Sequence, residues 1–165
     1  MTAAAVALAL RDAGRSYAPE KKQEIGIIGA GSEGSLPADL LYFRDYVECG
    51  RTLARGNLFI YTLPSSPLGE AAIHFGLAGP LLFASNAVAP LAAAISLAEE
   101  MLQFGEAEAM LAGMVQGNDA LYLVLSRTEK DGPRGGDPAL GIAGQGASLR
   151  DLIREFRMLK EKRGM

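Results

Sequence analysis

The sequence predicts an α/β fold: a mainly parallel sheet with helices on both faces and an antiparallel last strand. Three observations carry this. Short apolar stretches, charged only at a leading Glu24 or Glu108, EIGIIGAG (24–31), LLFAS (81–85) and EAMLAG (108–113), alternate with longer helix-forming segments. Such runs read as strands buried on both faces, the pattern of a parallel sheet covered by helices. Finally LYLVLSR (121–127) follows EAMLAG across the turn-rich QGND, a spacing that suits a hairpin.

Taken in order, TAAAVALALRDA (2–13) is a helix rich in strong helix formers, with Gly14 as its stop. A charged connector (15–23) leads to the first strand, 24–31. SEGSLP is a loop, and ADLLYFRDYVEC (38–49) an amphipathic helix closed by Gly50. NLFIY (57–61) reads as a short strand or extended segment, and Pro64 and Pro67 bracket a loop. LGEAAIHF (68–75) is a helix stopped at Gly76, and a Gly-Pro turn opens the strand 81–85. Pro90 sits in the first turn of the next helix, 89–104, where its missing N–H costs nothing, and Gly105 ends it. After the hairpin, EKDGPRGGDP (129–138) is a flexible loop and ALGIAG (139–144) a weak strand. The terminal helix carries Leu149, Leu152, Ile153, Phe156 and Leu159 on one face and a basic set on the other. The 165 residues read as one domain, large enough to bury roughly 70% of the unfolded surface.

Composition excludes several functions. The net charge of −3 gives no general attraction to nucleic acid or anionic membrane. A single cysteine, Cys49, rules out an internal disulfide or a cysteine-clustered metal site, and a single histidine, His74, rules out a multi-histidine site within one chain. No cofactor or metal is expected. No apolar run is long enough to span a bilayer, and the N-terminal segment lacks the basic start of a signal peptide, so a cytoplasmic location is expected.

The strand-to-helix junction at 85–90 is the place to look for a nucleophile, because unpaired N–H groups and the positive dipole end of a helix stabilise an anion there. The side chains available are Ser85, Asn86, Ala87 and Val88. None is a cysteine, and Val88 can neither ionise nor attack. Ser85 and Ser32 have no evident general base. Cys49 falls at the wrong end of its helix for dipole activation. His74 lies on a predicted helix between Ile73 and Phe75, where a lone histidine is usually structural. GAGSEG (29–34) matches G-x-G-x-x-G after a strand, but a dinucleotide site needs a helix that opens at once, and Pro37 and a loop intervene. Tight-turn glycines are the simpler reading.

Together, GIIGAGSEG (26–34), LPSSPLGEAAIHFGLAGP (63–80), the elbow, and GEAEAMLAG (105–113) resemble the N-terminal half of the β-ketoacyl-acyl carrier protein synthases of the thiolase superfamily. The resemblance runs from about residue 3 to residue 127. Its most specific parts are the G-L-x-G-P turn and the G-E-A-x-x-M-L-A-G strand. It implies a thiolase-like half-domain with a five-stranded sheet, and it puts Val88 where the family has its nucleophilic cysteine. It puts Leu63 at an acyl-pocket gatekeeper position. It makes Leu81, Leu82, Phe83, Ala84 and Ser85 a sheet edge that pairs across a two-fold axis. The family's catalytic histidines and second oxyanion donor belong to a C-terminal half with no counterpart here. The resemblance further implies that the first family strand, in mid-sheet, is missing, and that 139–144 fills its place.

The functional expectation is therefore a non-catalytic ketosynthase-like partner or scaffold in fatty-acid or polyketide synthesis. It would form a homodimer, or a heterodimer with a ketosynthase-like subunit. An acyl carrier protein could dock on Arg154, Arg157 and Lys160 of the basic terminal helix. The alternatives are a divergent acyl-thioester-binding enzyme, or a split or remnant ketosynthase fragment.

Overall fold

A computed structural model describes residues 1–15, 20–52, 55–86, 88–127 and 148–162. Helix α1 (Thr2–Asp12) precedes strand β1 (Ile25–Gly31), and α2 (Leu36–Glu48) follows it. A short α3 (Gly56–Phe59) runs into a 3-10 turn (Ile60–Thr62) and then α4 (Ser66–Phe75). Strand β2 (Leu81–Ser85), α5 (Pro90–Phe104), the hairpin β3 (Ala109–Gln116) and β4 (Asp119–Ser126), and α6 (Leu149–Lys162) complete the order.

The sheet order is β2-β1-β3-β4. β1 is parallel to β2, with Ile27 opposite Leu81, and parallel to β3, with Ile27 opposite Leu111. β4 returns antiparallel to β3, from Ala109 opposite Ser126 to Gln116 opposite Asp119. Helices cover both faces. α1 and α4 bury Val6, Leu10, Leu68 and Phe75 against Ile25, Ile27 and Leu111. α5 and α6 bury Leu91, Ile95, Leu149 and Leu152 against Ile28, Met110 and Met114. The alternation along β1 and β3 thus sends successive side chains into two separate cores.

The sheet has four strands among the described residues; the segment 139–144, expected as a further strand, and the loop 129–138 lie outside them. The empty central position is an expectation the structure corrects, because β1 pairs directly with β3 over six residues, Ile25 to Ala30. Two strand edges facing a gap would each leave a row of N–H and C=O groups unpaired, and direct pairing removes that cost on both at once. NLFIY, expected as a strand or extended segment, is helical. Proline explains two shifted boundaries: Pro37 and Pro67, read as loop residues, both sit in the first turn of a helix.

Two motif glycines are required by close backbone approach. A Cβ on Gly79, in the turn before β2, would lie 2.6 Å from Gly26 N and 2.7 Å from Ile25 C. A Cβ on Gly113 would meet the Leu121 carbonyl oxygen and the Tyr122 ring, 2.5 Å from its Cγ. The turn is held to β1 by the Gly79 N–H donating to Ile25 O (3.1 Å) and the Ile27 N–H donating to Pro80 O (2.8 Å).

Candidate functional site

The elbow between β2 and α5 is built by Asn86. Its own N–H donates to Gly31 O at 3.1 Å, tying the end of β2 to the end of β1. Its side-chain Oδ1 accepts from the N–H groups of both Val88 and Ala89, each at 2.9 Å. Asn86 therefore does the work of a helix cap from four residues before the first helical position, Pro90. Pro90, with no N–H to satisfy, completes the entry. Two of the amides that could hold an anion at this end of α5 are engaged by a neutral carboxamide. Val88 projects from the same turn and is 84% exposed. Ser85 is exposed, and its hydroxyl makes no hydrogen bond to a described residue.

Asn86 as the elbow's capping residue was missed in the sequence. Its signal was there: an Asn followed at the fourth position by a proline that opens a helix.

A cavity of about 440 Å³ opens at the C-terminal ends of β1 and β3. Gly29 and Gly31 form its floor, and Leu63, Pro64, Pro67 and Leu68 one wall. Phe83, Val115 and Tyr122 close the far side. Polar groups reach it from Thr2, Ser32, Glu33, Tyr61 and Gln116. Tyr122 is buried, and burial pushes its phenol well above the ordinary tyrosine value, a hydrogen bond with Thr2 offsetting part of the rise. Tyr61 donates to Glu70 Oε1 at 2.9 Å, which also raises its phenol.

The structure sorts the sequence-derived candidates. Leu63 lines the cavity; Val88 and Ser85 do not. β2 occupies one edge of the sheet, with Leu81 and Leu82 exposed and Phe83 and Ala84 half-buried. Arg154 and Arg157 are exposed on α6, while the side chain of Lys160 lies outside the described residues. Cys49 and His74 are both exposed and do not line the cavity. The glycine motif borders the cavity with α2 opening at Leu36, sooner than expected. A phosphate there would still face the Glu33 carboxylate. Of the first-turn groups, Pro37 has no N–H and the Leu36 N–H already donates to Glu33 O at 3.2 Å. Among the described residues no cluster of His, Cys, Asp and Glu could hold a metal ion, and no helix is long and apolar enough to cross a membrane.

Among curated proteins, none matches the chain. Solved structures do. An ishigamide ketosynthase/chain length factor superposes with a TM-score of 0.57 at 17% identity, over 73% of this chain and 40% of that one. A ketosynthase from a complex of a type II PKS acyl-carrier protein with its ketosynthase bound to the hexaketide gives 0.52 at 17% identity, over 70% of this chain and 30% of that one. A β-ketoacyl synthase from Burkholderia phymatum STM815 gives 0.54 at 27% identity, over 70% of this chain and 29% of that one. The chain thus spans less than half the length of each of these neighbours. The family model for the β-ketoacyl synthase N-terminal domain matches residues 1–126, most of the chain and all four strands of the sheet, so the chain belongs to the β-ketoacyl synthase family.

Proposed function

We propose that this chain is a cytoplasmic, non-catalytic companion of a ketosynthase-like subunit in fatty-acid or polyketide synthesis. The observation that carries the reading is the elbow. Where the family resemblance locates a nucleophile, the side chain is the exposed, inert Val88, and the neighbouring helix amides are capped by Asn86. Covalent acyl transfer needs an ionisable or activated nucleophile with donors free to hold the developing oxyanion. Neither requirement is met at this turn.

The surface of association is the β2 edge. An uncharged edge strand with part-exposed Leu81 and Leu82 invites strand addition, and a partner that pairs with it satisfies its open backbone groups. Two structural neighbours support a companion role by what they are: one is a ketosynthase/chain length factor, the other comes from a complex of an acyl-carrier protein with its ketosynthase. For this chain, Arg154 and Arg157 on α6 would meet an acidic carrier protein through exposed ion pairs, each worth at most about 1 kcal/mol and weakened by salt.

The cavity beside Leu63 favours one second reading, that the chain binds an acyl group without transferring it. Both readings are tested together. The chain is incubated with acyl-thioesters and examined by intact-mass spectrometry, then used to capture a ketosynthase-like subunit and carrier protein from the source cell. No covalent adduct, with capture that is lost on Leu82→Lys, is the expected result. An acyl adduct on this chain would refute the non-catalytic reading. Failure to recover either partner would refute the companion reading. Val88→Cys alone is expected to give no chain elongation.

A further inference from the structure

The cavity at the strand ends has two unlike sides. Leu63, Pro64, Pro67, Leu68, Phe83 and Val115 give it an apolar wall, and its volume of about 440 Å³ falls within the range of small-molecule sites. The polar side comes from the loop after β1 and the 3-10 turn before α4. Its one charged side chain is Glu33; no Lys, Arg or His is among the lining residues. Glu33 is exposed, and its carboxylate makes no ion pair or hydrogen bond with a described residue. The hydroxyls beside it have already committed their protons. Ser35 donates to Thr62 O at 2.6 Å, with Asp39 Oδ2 a second acceptor at 3.2 Å, and Tyr61 donates to Glu70 Oε1 at 2.9 Å. A hydroxyl has a single proton and two lone pairs, so toward a ligand each of these can only accept.

We propose that the cavity takes an apolar chain bearing a protonated amine. An ammonium offers three donors and no acceptor, the complement of a side made of a carboxylate and two acceptor-only hydroxyl oxygens. The chain then lies on the wall. A ligand ending in a carboxylate would face Glu33 with no lining cation to offset the repulsion. Nor do the amides at the start of α2 help it: the Leu36 N–H donates to Glu33 O at 3.2 Å, and Pro37 has none. Ser32 and Gln116 can give or accept, so they favour neither kind of ligand.

This assignment rests on the reading of the cavity as a place that holds an acyl group without transferring it, and it narrows that group to an amino-substituted one. It does not depend on the ketosynthase-companion reading. Calorimetric titration of the full chain with octylamine, octan-1-ol and octanoate at neutral pH varies the end group and keeps the hydrocarbon the same. The amine is protonated under these conditions, as a lysine is. Octylamine should bind about 5-fold tighter than octanol, the gain expected of one exposed charge contact, and octanoate more weakly than octanol.

Three variants, each checked for folding by circular dichroism, locate the contact. Glu33→Gln should bring octylamine to the affinity of octanol. Glu106→Gln, which changes an exposed carboxylate that does not line the cavity, should leave the amine preference in place. Gly29→Ala, at the cavity floor, should weaken octylamine and octanol alike. Octylamine binding no tighter than octanol or octanoate overturns the amine assignment, while the acyl-binding reading stands. Binding of none of the three overturns both. An amine preference that survives Glu33→Gln or is lost as fully in Glu106→Gln, or affinities unchanged in Gly29→Ala, would put the ligand elsewhere on this acidic chain and overturn the site.

Discussion

Replacing Gly79 by alanine tests why the turn before β2 has the sequence it has. The added Cβ would lie 2.6 Å from Gly26 N, 2.7 Å from Ile25 C and 2.9 Å from Gly26 Cα. All three are backbone atoms of β1 or its entry, so no side chain can swing aside. The turn must lift by several tenths of an ångström. That strains three hydrogen bonds: Ala78 N–H to Gln23 O (2.8 Å), Gly79 N–H to Ile25 O (3.1 Å) and Ile27 N–H to Pro80 O (2.8 Å). Overpacking of this kind costs about 1–3 kcal/mol, and weakened backbone bonds add up to about 1 kcal/mol each. The expected loss is roughly 2–4 kcal/mol, a large share of a domain's typical ~5–15 kcal/mol. With a urea slope of about 2 kcal/mol/M, the midpoint falls by roughly 1–2 M. Gly69→Ala is the control with the opposite sign. Gly69 lies within α4 with nothing within 4 Å of its added Cβ, so the change should stabilise by up to about 1 kcal/mol. Gly79→Ala within about 0.5 kcal/mol of wild type in equilibrium urea unfolding would refute the close-approach argument.

Other outcomes are expected from single groups. Asn86→Ala removes the acceptor of two elbow amides and should cost about 1–2 kcal/mol by urea unfolding, whereas Asn86→Asp retains most of the stability because a carboxylate also suits a helix start. Tyr122 is held neutral by burial, so its contribution is complete below the unfolded-state value of about 10 and is lost as pH rises above it; Tyr122→Phe should flatten the decline in urea midpoint between pH 9 and 11, to be measured against wild type. Arg51 has a left-handed backbone, φ +67°, that costs a non-glycine residue about 1 kcal/mol, so Arg51→Gly should be neutral to slightly stabilising in the same assay despite its greater unfolded-state entropy.

Uncharged apolar runs were easy to read as strands: IGIIGAG, LLFAS and AMLAGMVQ each became a strand of the sheet, although LLFAS, expected to be buried on both faces, lies at an edge with Leu81, Leu82 and Ser85 exposed. Glycine stops were equally plain, as Gly76 and Gly105 both adopt the left-handed conformation at helix ends. What failed needed tertiary information. NLFIY has strand-like composition, yet it is held helical beside α2, where Phe59 meets Tyr42. The closure of β1 on β3 could not be seen from either strand alone, since pairing partners are not encoded in local pattern. α2 looked amphipathic and implied a buried face; the structure instead sets its polar and aromatic side against α3 and leaves its apolar seam to solvent. At the candidate site, the inert Val88 was evident from residue type. The spacing of Asn86 and Pro90 signalled a cap, but which amides Asn86 holds required the turn geometry.

The direct β1–β3 pairing has a consequence for the cavity. Gly29 sits opposite Gly113, so the two strands approach at the cavity floor without side chains between them. The face is then filled from above, by Leu68 against Gly29 and the Tyr122 ring against Gly113. An alanine at 29 would come within 3.0 Å of both Leu68 methyl carbons, far ends of a side chain that can turn toward the open cavity. An alanine at 113 meets a carbonyl and a ring packed in the core, which cannot turn away. Gly29→Ala should therefore lose stability by at most about 1 kcal/mol while shrinking the cavity, and Gly113→Ala should lose about 3 kcal/mol or more. An acyl chain that binds in this cavity would lose affinity in the first variant with little change in folding. Gly29 lies opposite Phe83 of β2, so partner capture is measured in the same variant, and lost acyl affinity with unchanged capture would separate binding at the strand ends from association at the β2 edge. Equal destabilisation by the two alanines would show that Leu68 is as fixed as the backbone, and the cavity would then be a packing void rather than a site that can yield to a ligand.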